Sequence, residues 1–159
     1  MYRLKGGGSM TEKWNTLTDS LVKSLQRETY ILTVTMHAEK QTPYLHTASW
    51  VYAKDARTIR IAIDAESQII KNLKQRSYLM LAVMEEGSTY AIEGKGVLIT
   101  EEMEGLPIQL ALVECQVEEV EDIMFDGGKL TTPPHFEKTY DIEAAAKLDK
   151  QVMNALQQG

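Results

Sequence analysis

The nonapeptide Thr29-Tyr30-Ile31-Leu32-Thr33-Val34-Thr35-Met36-His37 divides its side chains into two alternating sets, Tyr30, Leu32, Val34 and Met36 against Ile31, Thr33 and Thr35. A period of two puts the sets on opposite faces of an extended chain, and β-branched residues suit a pleated surface. Residues 45–53 repeat the alternation after a polar loop, Glu39-Lys40-Gln41-Thr42-Pro43. Its proline has no N–H to offer a central ladder. The two runs predict a hairpin. After a turn at Lys54-Asp55-Ala56-Arg57, residues 58–63 set Ile59, Ile61 and Ile63 on one face and Thr58, Arg60 and Ala62 on the other, a third strand.

The period then changes. Ile69, Ile70 and Leu73 form one stripe over residues 67–75, with Gln68, Lys71, Lys74 and Gln75 around it, and Asp64 and Ser67 are start signals for a helix. Residues 78–84 are a nearly all-apolar strand, Glu86-Gly87-Ser88 a tight turn, and residues 89–100 a strand interrupted by Gly94 and Gly96. Glycines within a strand imply a bulge, a bend or a close backbone approach. Residues 107–125 return as a sixth strand, with Leu110, Leu112, Val117 and Val120 marking its buried side and a change of phase near Glu114 and Cys115. This meander predicts a small closed or nearly closed barrel.

Two helices flank it. Trp14, Leu17, Leu21, Val22 and Leu25 recur at helical spacing over residues 14–26, with Thr11 and Glu12 as cap material, and this helix is expected to lid one end of the barrel. Residues 143–157 carry Ala144, Ala145, Leu148, Val152, Met153 and Leu156 along one stripe, after an extended approach at Pro133-Pro134 and a cap at Asp141. Strands over residues 59–63 and 78–84 are apolar on both faces. One small barrel cannot bury both, so a two-fold homodimer through this region is expected.

A chain of 159 residues reads as one domain: a leader and glycine linker over residues 1–9, a barrel over residues 10–126 and a C-terminal extension with its helix over residues 127–159. The net charge is −6, with acids gathered between Glu101 and Asp122, which makes nucleic acid a poor partner. No apolar run approaches the ~20 residues that span a bilayer, so no membrane association is expected. Cys115 is the only cysteine, which excludes an intramolecular disulfide and suits a reducing cytoplasm. His37, His46 and His135 are too scattered for a metal motif, and no nucleophile elbow, P-loop or dinucleotide fingerprint is present.

Over roughly residues 16–125 the sequence resembles the pyridoxamine 5'-phosphate oxidase-like split-barrel flavoproteins, often described as FMN-binding or general stress proteins. The segments that carry the resemblance are HTASWVY (residues 46–52), TIRIAID (58–64), ESQIIKNLKQRSYLMLAV (66–83) and YAIEGKGVLI (90–99), with Ser67, Asn72-Leu73 and Gly94-Lys95-Gly96 fitting the family's phrasing. The resemblance implies an α+β fold, mainly β: a six-stranded antiparallel split β-barrel with flanking helices. It also implies a homodimer and bound FMN. The basic pair that follows the serine in the family stands here as Gln68 and Ile69, and the basic residue early in the second strand as Thr47. The C-terminal Arg and Trp signature of true pyridoxamine 5'-phosphate oxidases is absent, so that particular activity is not expected.

On the resemblance, the FMN site falls on His46, Thr47, Ala48, Ser49, Trp50, Ala62, Ile63, Ser67, Gln68 and Lys71. A flavin phosphate needs backbone N–H groups, hydroxyls and usually cations at a helix start. Ser67, Lys71, Thr47 and Ser49 could supply such a cradle, whereas Asp64 and Glu66 would repel a phosphate. Read without the resemblance, the same residues make a plain capped helix, and Trp50 and Tyr52 read as core aromatics. Two functions stay open: an FMN-dependent oxidoreductase of unassigned substrate, and a flavinless split-barrel dimer acting as a binding or structural protein.

Overall fold

A computed structural model describes residues 12–158. The leader expected over residues 1–9 and the cap candidate Thr11 lie outside them. The elements are β1 (Lys13–Trp14), α1 (Asp19–Ser24), β2 (Ile31–Met36), β3 (Pro43–Ala48), β4 (Val51–Asp55), β5 (Thr58–Asp64), α2 (Gln68–Gln75), β6 (Tyr78–Glu85), β7 (Ser88–Thr100), β8 (Leu110–Asp122) and α3 (Ile142–Gln157). The fold is α+β, built on one antiparallel sheet ordered β3-β2-β6-β7-β8-β5-β4, with β1 beside β8.

Strands β3 and β4 are consecutive in the chain yet stand at opposite ends of that path. The dipeptide Ser49-Trp50 joins them. The Thr29 N–H donates to the Ser49 carbonyl at 2.9 Å, and the Ala62 N–H donates to the Trp50 carbonyl at 3.0 Å. Ser49 is thus tied to the β2 side and Trp50 to the β5 side. The barrel is closed by a covalent crossing rather than by a ladder, which is its split.

The strand count is eight rather than six for two local reasons. The run expected as one strand over residues 45–53 breaks at this crossing, where the inward positions change from even (Tyr44, His46, Ala48) to odd (Val51, Ala53). Lys13–Trp14, expected to open a helix, instead pairs with Glu121 and Val120. The first helix is correspondingly short, starting after Thr18, whose hydroxyl accepts from the Leu21 N–H at 3.2 Å. Leu17, Leu21 and Leu25 are buried in the barrel core.

That core takes Ile31, Ile59, Ile61, Leu79, Leu81, Val83, Ile92, Val113 and Cys115. In β2 it is Ile31, Thr33 and Thr35 that face inward, while Leu32, Val34 and Met36 are half-buried on the outside. In β8 the inward residues are Ala111, Val113, Cys115 and Val117, so Leu110 and Leu112 lie on the outer face, contrary to expectation. The phase changes at Glu118, not near Glu114: Gly94 pairs with Val117 and Glu93 with Glu119, leaving Glu118 as the bulge. Gly94 sits at that irregularity, where a Cβ would come within 2.2 Å of the Gln116 carbonyl oxygen, and at Gly96 one would come within 2.6 Å of Leu73 Cδ2. At Gly94 the obstacle is backbone, so a side chain is excluded, whereas at Gly96 one would have to displace Leu73.

Helix α3 is capped by Asp141, which accepts from the Glu143 and Ala144 N–H groups at 2.9 and 3.1 Å. It lies across the outer face of β4 and β5, where Val152 and Leu156 are fully buried with Ala62, Met103 and Leu110, flanked by Trp50, Tyr52, Leu112 and Leu148. Arg60, on the same outer face, is buried beneath its end. Its Nε donates to Glu114 Oε2 at 3.1 Å, and its Nη1 to the carbonyls of Leu156 and Gln158 at 3.1 and 2.6 Å. A guanidinium at a helix C-terminus satisfies carbonyls the helix leaves open and opposes its dipole. Because α3 occupies this wall, residues 59–63 cannot form the homodimer face expected from their two apolar sides. Among the described residues no helix is long and apolar enough to cross a membrane.

Candidate functional site

The split opens as a cleft of about 490 Å³ between the inner side of edge strand β3, the Ser49-Trp50 crossing, the end of β5 and the start of α2. It is lined by Tyr44, His46, Thr47, Ala48, Ser49, Trp50, Ala62, Ile63, Asp64, Glu66, Ser67 and Gln68. Nine of the ten positions named from the sequence meet there: His46, Thr47, Ala48, Ser49, Trp50, Ala62, Ile63, Ser67 and Gln68. Lys71 does not. It is exposed on α2, one turn beyond Ser67, and does not line the cleft.

The convergence has a local cause. Strand β5 ends at Asp64, whose Oδ1 accepts from the Glu66 N–H at 2.8 Å, and whose carbonyl accepts from the Ser67 N–H at 2.9 Å. This turn delivers Ser67 as the N-cap of α2, its Oγ accepting from the Ile69 N–H at 3.2 Å. Asn72 then fixes the helix. It is fully buried, donates from Nδ2 to Thr35 Oγ1 at 2.9 Å, and its Oδ1 accepts from the Ala38 N–H at 2.8 Å and from Gln68 Nε2 at 2.9 Å. Of the two inward threonines of β2, Thr35 is explained by this partner, and Thr33 donates to the His46 carbonyl at 3.3 Å. A buried amide so satisfied holds α2 in register against β2, and so sets one wall of the cleft.

Several polar groups at the site are already engaged. Ser49 Oγ donates to Glu28 Oε2 at 2.9 Å, and Trp50 Nε1 donates to Asp149 Oδ1 at 2.8 Å. Lys138 Nζ joins the two acids, at 2.6 Å from Glu28 and 2.9 Å from Asp149, and lies 5.4 Å from the centre of the Trp50 ring. Burial alone would lower the Lys138 pKa, but the hydrogen bonds and charges of Glu28 and Asp149 outweigh it and hold the ammonium above its ordinary range. This five-residue network fastens the C-terminal extension to the crossing. Nothing in the sequence hints at it, because Lys138 and Glu28 are separated by 110 positions and neither stands in a motif. Tyr44 also escapes a reading of the sequence; its ring stacks on His46 with centroids 6.0 Å apart.

The lining suits one part of a flavin nucleotide and not another. Ala48, Trp50, Ala62 and Ile63 offer apolar surface for a planar ring, with Thr47, His46 and Gln68 as polar neighbours. A phosphate dianion meets a different donor set: Asp64 and Glu66 are the only lining side chains that are formally charged at neutral pH, and no Lys or Arg lines the cleft among the described residues. Lys138, the cation beside the crossing, is held by two carboxylates. Cys115 lies elsewhere, fully buried in the barrel, its thiol pushed up to about 12 by burial and by Glu118. It is a core residue rather than a nucleophile.

No family model and no curated protein matches the chain. Solved structures do. A protein from Lactobacillus delbrueckii described as a candidate pyridoxamine 5'-phosphate oxidase superposes with a TM-score of 0.57 at 15% identity, covering 70% of this chain and 98% of that one. HupZ of Group A Streptococcus gives 0.55 at 13%, covering 73% and 99%. A second candidate pyridoxamine 5'-phosphate oxidase, from Listeria innocua, gives 0.53 at 10%, covering 66% and 96%. The chain therefore has the split-barrel fold of the pyridoxamine 5'-phosphate oxidase-like proteins, the family its sequence resembles.

Proposed function

We propose that this chain is a flavin-binding split-barrel protein that works as a two-fold homodimer, with the flavin ring seated in the seam cleft. The observation that carries the reading is the meeting of His46, Thr47, Ala48, Ser49, Ala62, Ile63 and Ser67 around one cleft of a size usual for small-molecule sites. A flavin, when bound, supplies hydride or single-electron transfer, so the activity would be that of an oxidoreductase. The chain's own part is to place the ring: Ala48, Ala62 and Ile63 keep water from its faces, and Thr47, His46 and Gln68 offer polar contacts at its rim. The homodimer is supported by the outer face of β2, β3 and β6, where Leu32, Val34 and Met80 are only half-buried and Leu45 is 64% exposed. A second copy of this wall is the occupant that the resemblance to the family supplies.

The absorbance spectrum of the purified protein, followed by titration with added flavin, tests the reading. A flavin band in the visible, or saturable quenching of flavin fluorescence, is the expected result. Ala48→Trp fills the cleft and should weaken uptake by about tenfold or more. A colourless protein that quenches no flavin at high micromolar concentration overturns the reading. The flavinless reading, a split-barrel dimer acting through binding, would then hold, favoured by the two carboxylates and the missing cation in the lining.

A further inference from the structure

The charge at the mouth of the cleft selects among flavins, and this inference rests on the flavin reading above. We infer that the cleft takes a flavin or similar planar heteroaromatic lacking a phosphate, of which riboflavin is the simplest, in preference to FMN.

The argument begins with the start of α2. Helix N-termini favour anions, and Ser67 caps one of eight residues beside the cleft. Here the position is already supplied with negative charge. Asp64 and Glu66 both line the cleft, both are exposed, and neither forms an ion pair with a lysine or arginine among the described residues. The Ser67 oxygen accepts from the Ile69 N–H and Asp64 Oδ1 from the Glu66 N–H, which leaves Asp64 Oδ2 and the Glu66 carboxylate facing the cleft as acceptors. Gln68, which lines the cleft next to the cap, donates one amide N–H to Asn72 Oδ1 and carries no charge to offset the two acids. A phosphate of about −1.5 to −2 charge placed there would face two carboxylates with no cation among the lining residues to offset them.

The cations nearby do not change this balance. Lys71 stands on the exposed side of α2, outside the cleft. Lys138 is bound between Glu28 and Asp149, so that group of three carries a net charge of −1. A ribityl chain without phosphate carries hydroxyl groups, which can donate to carboxylates such as Asp64 and Glu66 rather than be repelled by them. The same two residues that disfavour FMN thus offer acceptors to riboflavin.

Fluorescence titration of the full chain with riboflavin and with FMN, in low salt and in 0.5 M salt, decides the matter. Riboflavin should bind about tenfold or more tightly than FMN at low salt, and the ratio should narrow in high salt as the repulsion is screened. In the D64N/E66Q variant, whose first substitution keeps an acceptor oxygen for the turn, the ratio at low salt should fall toward one. FMN binding as tightly as riboflavin, or a ratio unmoved by the double substitution, overturns the inference while leaving the flavin reading intact. Failure of both flavins to bind overturns the flavin reading itself, and this inference with it.

Discussion

Two walls of the barrel differ in how their outer faces are finished. The β4–β5 wall is roofed by α3, so that Ala62 and even Arg60 are buried on what would otherwise be the solvent side. Among the described residues the β2–β3–β6 wall has no such roof. Its outward residues include Leu32, Val34, Leu45, Met80 and Met84, and Leu45 is 64% exposed. In β2 the inward set is the more polar one, Thr33 and Thr35 lying beneath Ile31, and Asn72 satisfies Thr35. An apolar exterior opposite a partly polar interior is costly in water, and the roofed wall shows how the chain meets that cost when it can. In the homodimer proposed above, a second copy supplies the roof that this wall lacks.

The largest effect should come from lifting the roof that exists. Val152 and Leu156 are fully buried, and Val152→Ala with Leu156→Ala removes methyl groups that α3 cannot replace by shifting, since Arg60 pins its last carbonyls. The pair should cost on the order of 5 kcal/mol, read as a lowered denaturation midpoint. A loss below about 1 kcal/mol would mean that α3 rests on the wall without holding it, and the contrast between the walls would lose its meaning.

The bare wall is probed by charge. Val34 and Met80 are directly paired across β2 and β6, so Val34→Glu with Met80→Glu puts two carboxylates at the middle of the face. In a lone protomer these half-exposed positions should cost about 1 kcal/mol. In a dimer they would be unpaired buried charges, and association should weaken by about 3 kcal/mol, more than a hundredfold. Sedimentation at micromolar concentration should show the parent chain as a dimer and the variant as a folded monomer. A monomeric parent chain would leave the wall bare in solution and refute the assembly. A variant that stays dimeric would move the interface to another face.

Much of this was legible in the sequence, and the failures have physical causes. Alternation located β2 and β5, because each keeps one face inward along its whole length, while an apolar run and the tight turn after it located β6 and β7. It failed at Ser49-Trp50, where the chain changes partners from β2 to β5 and the inward parity slips by one, which period-two reading smooths over. It failed again in β8, where Leu110 and Leu112 look like core but lie under α3: hydrophobicity marks burial without saying against which layer. The phosphate-cradle idea rested on types of residue and could not see that Lys71 stands outside the cleft. What did carry over was the seam. Nine of the ten positions carried over from the resemblance line one cleft, because the end of β3, the crossing, the end of β5 and the cap of α2 are brought together by closure of the barrel.

The smallest effect, and the sharpest on the boundary between the walls, concerns Lys138, which fastens the segment leading into α3 to the crossing. Its ammonium bridges Glu28 and Asp149 at 2.6 and 2.9 Å and lies 5.4 Å from the Trp50 ring centre. Replacing it by methionine keeps most of the stem and removes the charge, leaving the two acids to repel each other, which should cost about 1 kcal/mol near neutrality. The folded-state pKa is raised above the ordinary lysine value of 10.5, the bonds to Glu28 and Asp149 overcoming the effect of burial. A group with a raised folded pKa contributes in full below its unfolded pKa and loses that contribution as pH climbs through the folded one. The stability gap between the parent chain and Lys138→Met should therefore be level from about pH 7 to 10 and close above the ordinary lysine range. Thermal midpoints of the two proteins across that range, with Trp50 emission as a local reporter, measure the gap. A gap that persists undiminished in strong alkali would assign the role of Lys138 to the packing of its stem over Trp50 and Phe136, and the tie between α3 and the seam would then be apolar rather than ionic.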